Sequence, residues 1–227
     1  MAVKLYTMDL SPPVRAAMMA CDIFNVAFEK VEVNLLEKEQ MKPEFLAKNP
    51  LHSLPVLEDE DFIIHDGHAI LMYLADVYGN DDTWYPRDVK KRALVNQKLF
   101  FDNATLFPRL RNVTFSLVIE GKQTIKQKML DSIAEAYGYM EAFLSRSTYI
   151  AGEDMTIADL STFSDISSLV YILPIDENKF PKTLAWFQYL VAQPCCERYN
   201  NPGASELGQL IKQYQQSTSR DKNAPCI

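Results

Sequence analysis

The sequence predicts a small α/β domain followed by an all-helical one, and three observations carry that prediction. Strand-like runs with alternating apolar residues occur only before about residue 78. Long helical patterns fill the chain beyond about residue 88. Between them lies YGNDDTWYPRD (78–88), a polar stretch carrying Gly79 and Pro86, which reads as a linker. The expected domains are therefore 1–80 and 88–220. A chain of 227 residues can form two such cores.

The first half can be read element by element. VKLYT (3–7) is a strand candidate, and 12–24 is a helix with Val14, Ala17, Met18 and Cys21 on one face. FEKVEVN (28–34) alternates as a half-buried strand does, and PEFLAKN forms a short helix. PVLEDEDFIIH gives two strands joined by an acidic turn, and a helix follows from about Gly67. The order β-α-β-α-β-β-α implies a mixed sheet covered by helices.

In the second half one long helix is expected over about 88–119. It carries a stripe of Phe100, Ala104, Phe107, Arg111, Thr114 and Val118. Such a stripe ordinarily faces a core, but Arg111 and Thr114 suit instead an apolar pocket with a few polar handles. Pro108 removes the hydrogen bond to the Ala104 carbonyl and should bend this helix. Thr156 and Asp159 in MTIADLS form an acidic capping box that opens a mostly apolar helix, a structural role. The tail beyond about Thr218 should fray.

The composition limits function. An apolar fraction of 48% and a charged fraction of 23% are those of a soluble globular protein, and no stretch approaches a membrane span. A net charge of −7 argues against nucleic acid or an anionic membrane as partner. Cys21, Cys195, Cys196 and Cys226 form no C-x-x-C pair and suit reduced thiols in a cytoplasmic protein. Three histidines without metal-ligand spacing give no reason to expect a metal.

Ser11-Pro12-Pro13 marks a helix start, because proline is tolerated in the first turn and serine is a good N-cap. That helix tip carries unpaired N–H groups and positive charge, which lower the pKa of a nearby thiol. Thioredoxin-like proteins place their own cysteine there. Here Ser11 stands in its place, and the thiol would have to come from a ligand.

DLSPPVRA, KNPLHSLPVLED, IIHDGHAILMYLADVYG, WYPRDVKKRALVNQKLFFD and YIAGEDMTIADLS, in that order over roughly residues 3–210, resemble a cytosolic glutathione transferase. Their detail is similar to the insect delta and epsilon classes, nearer epsilon. The resemblance implies a thioredoxin-like N-terminal domain that binds glutathione and an all-α C-terminal domain that lines a pocket for small hydrophobic electrophiles. It implies a cytoplasmic homodimer that conjugates the two substrates in detoxification. Related readings are a glutathione-dependent dehydrochlorinase or peroxidase, or a non-catalytic carrier of apolar ligands.

The same resemblance assigns residues. Ser11 would donate its hydroxyl proton to the glutathione sulfur; Tyr6, the residue type used by other classes, lies inside the first strand. Leu54-Pro55 would be a cis step whose Leu54 backbone pairs with the cysteinyl part, and His52 would lie beside the glycine end. Asp66, Gly67 and His68 would form a helix tip that docks the γ-glutamyl group. Arg111 would border both substrates. The electrophile pocket would be lined by Leu10, Pro13, Leu35, Phe107, Leu110, Arg111, Thr114, Phe115, Val118, Ile119 and Leu207. Two departures stand out: Gly67 replaces the usual serine, which removes a hydroxyl contact, and Gln40 replaces a common histidine.

Overall fold

The computed structural model describes residues 3–221. Strand β1 (Val3–Thr7) leads through helix α1 (Pro12–Ile23) to β2 (Phe28–Glu32). A single 3₁₀ turn (Glu39–Met41), the short helix α2 (Pro43–Leu46), strands β3 (Val56–Asp59) and β4 (Phe62–His65), and helix α3 (Gly67–Tyr78) complete the first half. The sheet order is β2-β1-β3-β4. β1 and β2 run parallel, with Thr7 opposite Glu32. β3 runs antiparallel to β1, with Tyr6 opposite Val56, and β4 antiparallel to β3, with Val56 opposite His65.

This register decides where a site can form. The C-terminal ends of β1 and β2, the start of β3 and the end of β4 all lie at one end of the sheet. The segments leaving those ends hold Ser11, Leu35, Leu54-Pro55 and Asp66. Ligands of sheets with parallel strands commonly bind at such an end.

The second half contains helices only: α4 (Val89–Phe101), α5 (Phe107–Thr114), α6 (Gln127–Leu144), α7 (Ile157–Leu169), α8 (Pro181–Val191), α9 (Pro194–Tyr199) and α10 (Asn201–Asp221). Every residue of α7 is buried. Apolar packing is continuous between the halves, since Leu5, Val14 and Ile70 share one core with Leu106, Phe163 and Leu207. The capping box at Thr156 and Asp159 is present. Asp159 also accepts from the Trp186 indole at 3.0 Å and the Ile150 N–H at 3.2 Å. Burial raises its pKa to about 6 despite these donors.

The long helix differs from the expected one. It is continuous from Val89 to Ile119, but π-type turns occupy Asp102–Leu106 and Phe115–Ile119. The first directly precedes Pro108's turn, and the Arg109 side chain donates to the Thr105 carbonyl at 2.7 Å. The core takes Val95, Leu99, Asp102, Leu106, Leu110, Val113 and Leu117, an unbroken run of three- and four-residue helical steps on the face beside the stripe read from the sequence, and that stripe faces outward or into a cavity. Cys21, Cys195 and Cys196 are free thiols, and burial pushes Cys21 up to about 12. Of the tail expected to fray beyond about Thr218, the backbone is helical up to Asp221, and the rest, with Cys226, lies outside the described residues.

Candidate active site

Ser11 sits at the tip of α1 in an extended conformation, and its hydroxyl makes no capping bond. The sequence explains part of this. An N-cap oxygen accepts from the N–H of the second or third helical residue; Pro13 removes the first of these donors, and the Ser11 hydroxyl does not engage the second, the Val14 N–H. The helix begins through proline's fixed φ, and its cap hydroxyl is left available. The Tyr6 hydroxyl, in contrast, is engaged: it donates to Glu58 at 3.0 Å.

Arg15 fixes the segment just before Ser11. It is fully buried, and its guanidinium nitrogens are all engaged. Its Nη1 donates to the carbonyls of Asp9 at 3.1 Å and Leu10 at 2.9 Å. Its Nη2 donates to the Ser164 carbonyl at 2.8 Å and the Ser168 hydroxyl at 2.6 Å on α7. Nε donates to Asn200 at 2.9 Å. Burial lowers its pKa to about 10, so it stays protonated at neutral pH. One side chain thus ties the Ser11 loop to the helical half.

Beside Ser11 opens a cavity of about 390 Å³. Of the predicted lining residues, Leu10, Leu35, Phe107, Leu110, Arg111, Thr114, Phe115, Val118, Ile119 and Leu207 all border it. Pro13 does not. Its ring faces α3, where a Cβ added to Gly67 would lie 2.7 Å from the Pro13 Cβ. Pro13 packs against α3 and is not among the residues that line the cavity. At Gly67 the neighbouring proline leaves little room for a side chain. Met8, Pro12, Leu36, Gln40 and Leu210 also line the cavity and were missed. Met8 and Pro12 are implied by proximity to Ser11; Leu36 and Leu210 carry no sequence signal.

The other predicted residues do not line this cavity; Asp66 and His68 border a separate one with Asn96, Leu99 and Phe100. The Leu54–Pro55 bond is cis. His52 is exposed and has φ of 47°, in a loop held by buried Asn49. Asn49 accepts from the Leu51 N–H at 2.9 Å and donates to the Ser53 carbonyl at 2.9 Å. Asp66 has φ of 79°, a region that costs a non-glycine residue about 1–3 kcal/mol and is typical of functional sites. Its Oδ1 caps α3 by accepting from the N–H groups of His68 at 2.9 Å and Ala69 at 3.1 Å. Those two donors are therefore occupied and do not face outward toward an anion.

His68 is enclosed between carboxylates. Its Nε2 lies 3.0 Å from Asp102 Oδ2, and its Nδ1 lies 3.4 Å from Asp66 Oδ1. Burial would lower its pKa, but the two carboxylates outweigh that and raise it to about 9. Asp102, in the first π turn, also accepts from the Ser161 hydroxyl. Beyond it lies Asp165 of α7, buried with an oxygen that no donor reaches, as is one oxygen of Asp102. Burial first, and then Asp102, push the Asp165 acid well above the usual carboxylate range. No sequence signal points to this cluster, because it assembles from α3, a π turn and α7.

A chain of this build can hold an extended polar ligand along the sheet end, with a hydroxyl donor at Ser11 and an apolar chamber beside it. Comparison with known proteins agrees. The family model "Glutathione S-transferase, N-terminal domain" matches residues 1–76, and "Glutathione S-transferase, C-terminal domain" matches 74–194. Glutathione S-transferase 1 of Manduca sexta is 40% identical over 213 residues, 93% of this chain and 98% of that protein. An epsilon-class glutathione S-transferase from the housefly Musca domestica has a TM-score of 0.92 at 43% identity, covering 93% of this chain and 98% of that one. A glutathione transferase homologue from Drosophila mojavensis, solved with bound glutathione, has a TM-score of 0.91 at 41% identity, covering 94% and 97%. The chain belongs to the glutathione S-transferase family.

Proposed function

We propose that the protein conjugates the glutathione thiolate to small hydrophobic electrophiles in a detoxifying role, with Ser11 as the thiol's hydrogen-bond donor. The observation that carries this is the Ser11 hydroxyl, which makes no capping bond and borders an apolar cavity. A hydroxyl donating to sulfur stabilises the thiolate over the thiol, and the α1 dipole adds to this. The sulfur then forms a bond to the electrophilic carbon, whose leaving group departs with the bonding pair.

Glutathione lies along the sheet end in this reading. Its cysteinyl part pairs with the Leu54 backbone beside Pro55, and its glycine end approaches His52. Its γ-glutamyl ammonium meets Asp66, beside Gly67 and His68. With the His68 and Ala69 N–H groups occupied by Asp66, the γ-glutamyl carboxylate relies on the Gly67 N–H and on positive charge from His68. The family, together with exposed Phe62, Val89 and Phe100, supports a homodimer. Among the described residues no helix is long and apolar enough to cross a membrane, and we read the protein as cytoplasmic.

Turnover of a generic aryl halide with glutathione tests the reading. Losing one hydrogen bond to a charged group costs about 1.5–3 kcal/mol. The Ser11→Ala variant should therefore lose roughly one to two decades of conjugation rate near pH 6.5. Unchanged activity in Ser11→Ala, or none in the wild type, contradicts it.

A further inference from the structure

Arg111 differs in kind from everything around it. The cavity is walled by Leu10, Leu35, Phe107, Phe115, Val118 and similar apolar side chains, and Arg111 is the one residue of that wall that carries a charge. It is exposed, and among the described residues its guanidinium has no ion pair and no hydrogen bond. Arg109, two positions earlier on α5, shows what an arginine here does when it serves the fold. It donates to Glu135 at 2.7 Å, to the Ser132 carbonyl at 2.6 Å and to the Thr105 carbonyl at 2.7 Å. Thr114, the other polar residue of the stripe, turns its hydroxyl back onto the Leu110 carbonyl at 3.2 Å and the Arg111 carbonyl at 3.1 Å. The helical wall thus offers one unused set of strong donors, and it is cationic.

We propose that the preferred electrophiles of this pocket carry an anionic group, a carboxylate, at the end opposite the reacting carbon. This rests on the conjugation reading above and adds the charge of the second substrate. Ser11 stands at the tip of α1 and Arg111 on α5, on different walls of one chamber. A rigid aryl ring places its leaving group and a para carboxylate at opposite ends, so the carbon can face the sulfur while the carboxylate meets the guanidinium. Arginine's planar fork suits a carboxylate bidentately, and the apolar walls strengthen that pairing relative to water.

The probe is 4-chloro-3-nitrobenzoate, with 4-chloro-3-nitrobenzamide as its neutral match. In both, the glutathione sulfur bonds to the ring carbon bearing chlorine, and chloride leaves with the C–Cl pair. Each kcat/KM is divided by the uncatalysed rate with free glutathione, which removes the difference in intrinsic reactivity. The inference expects the benzoate-to-benzamide ratio to fall about tenfold in Arg111→Gln, chiefly through KM of the benzoate. Arg111→Lys, which keeps the charge and loses the fork, should fall between wild type and Arg111→Gln, and added salt should reduce the ratio in the wild type. A ratio unchanged in Arg111→Gln overturns the inference, even if both rates fall, because Arg111 then acts on glutathione or on charge developing in the ring. Failure of the conjugation reading looks different: no glutathione-dependent turnover of either compound. In that event equilibrium binding of 3-nitrobenzoate against 3-nitrobenzamide, in wild type and Arg111→Gln, decides the matter. A benzoate preference lost in the variant supports the inference, and equal binding throughout overturns it.

Discussion

The sheet end and the helical wall of this site are built on opposite principles. At the sheet end, position comes from backbone: a cis Leu54–Pro55 bond, left-handed φ at His52 and Asp66, and a glycine pressed against a proline. Proline at a cis bond, a capping Asp66 and a side-chain-free Gly67 are each tied to their backbone setting. The helical wall is made of side chains on α5 and its flanking π turns, where Phe107, Val118 and Ile119 need only be apolar and of suitable size. The first region can recognise one ligand with fixed geometry, and the second can accept many shapes. Rigid backbone on one side and exchangeable side chains on the other fit an enzyme with one constant and one variable substrate.

The seam between the two regions is where the comparison is most easily broken. Removing Arg15 strands the acceptors it serves on α7 and in the Ser11 loop. Arg15→Met should destabilise the fold by about 3–5 kcal/mol, the usual cost of breaking a buried charge cluster. Denaturant unfolding measures this; a loss below about 1 kcal/mol would mean that the halves do not depend on the clamp.

His68 gives the seam a pH dependence. Its pKa rises from an unfolded value of 6.5 to about 9 in the fold. A raised pKa stabilises the fold fully below pH 6.5, and that contribution is lost as pH rises through about 9. Stability should therefore fall between those values by an amount on the order of a few kcal/mol. His68→Gln should flatten that slope in thermal melts from about pH 6 to about pH 9.5. An equally steep slope in the variant would assign it to other groups.

Gly67→Ser sharpens the claim about the sheet end. If only a hydroxyl were missing, serine would tighten glutathione binding. The 2.7 Å approach to Pro13 predicts the reverse, an overpacking cost of about 1–3 kcal/mol felt as weaker glutathione binding in calorimetry. On the helical wall, Phe107→Ala should act more gently and on the other substrate. KM for an apolar electrophile should rise several-fold, while KM for glutathione moves little. Equal shifts in both would erase the distinction between the two regions.

Legibility in the sequence divides along the same line. Ser11 was legible as a helix cap ahead of two prolines, whereas Pro55 and Asp66 were legible only through the family resemblance of the motifs that contain them. The strands and α3 were legible from alternation and from Gly67. The face of the 89–119 helix was not: Phe100 and Ala104 sit at regular helical spacing, but Leu99, Leu106 and Leu110 do so as well on the adjacent face, and it is these that are buried. Asp102, Asp165 and Arg15 stayed hidden because their partners are far away in sequence, and a lone charged residue in a helix ordinarily reads as surface. Pro13 was misplaced because its contact, Gly67, is set by how two helix tips meet.

The central claim is that the Ser11 hydroxyl, released from capping, holds the glutathione sulfur as a thiolate. Its most direct test is the thiol pKa of bound glutathione, followed by thiolate ultraviolet absorbance across pH in wild type and Ser11→Ala. The account predicts a wild-type value well below that of free glutathione, rising by about 1–2 units in the variant. The same value in both proteins would contradict it.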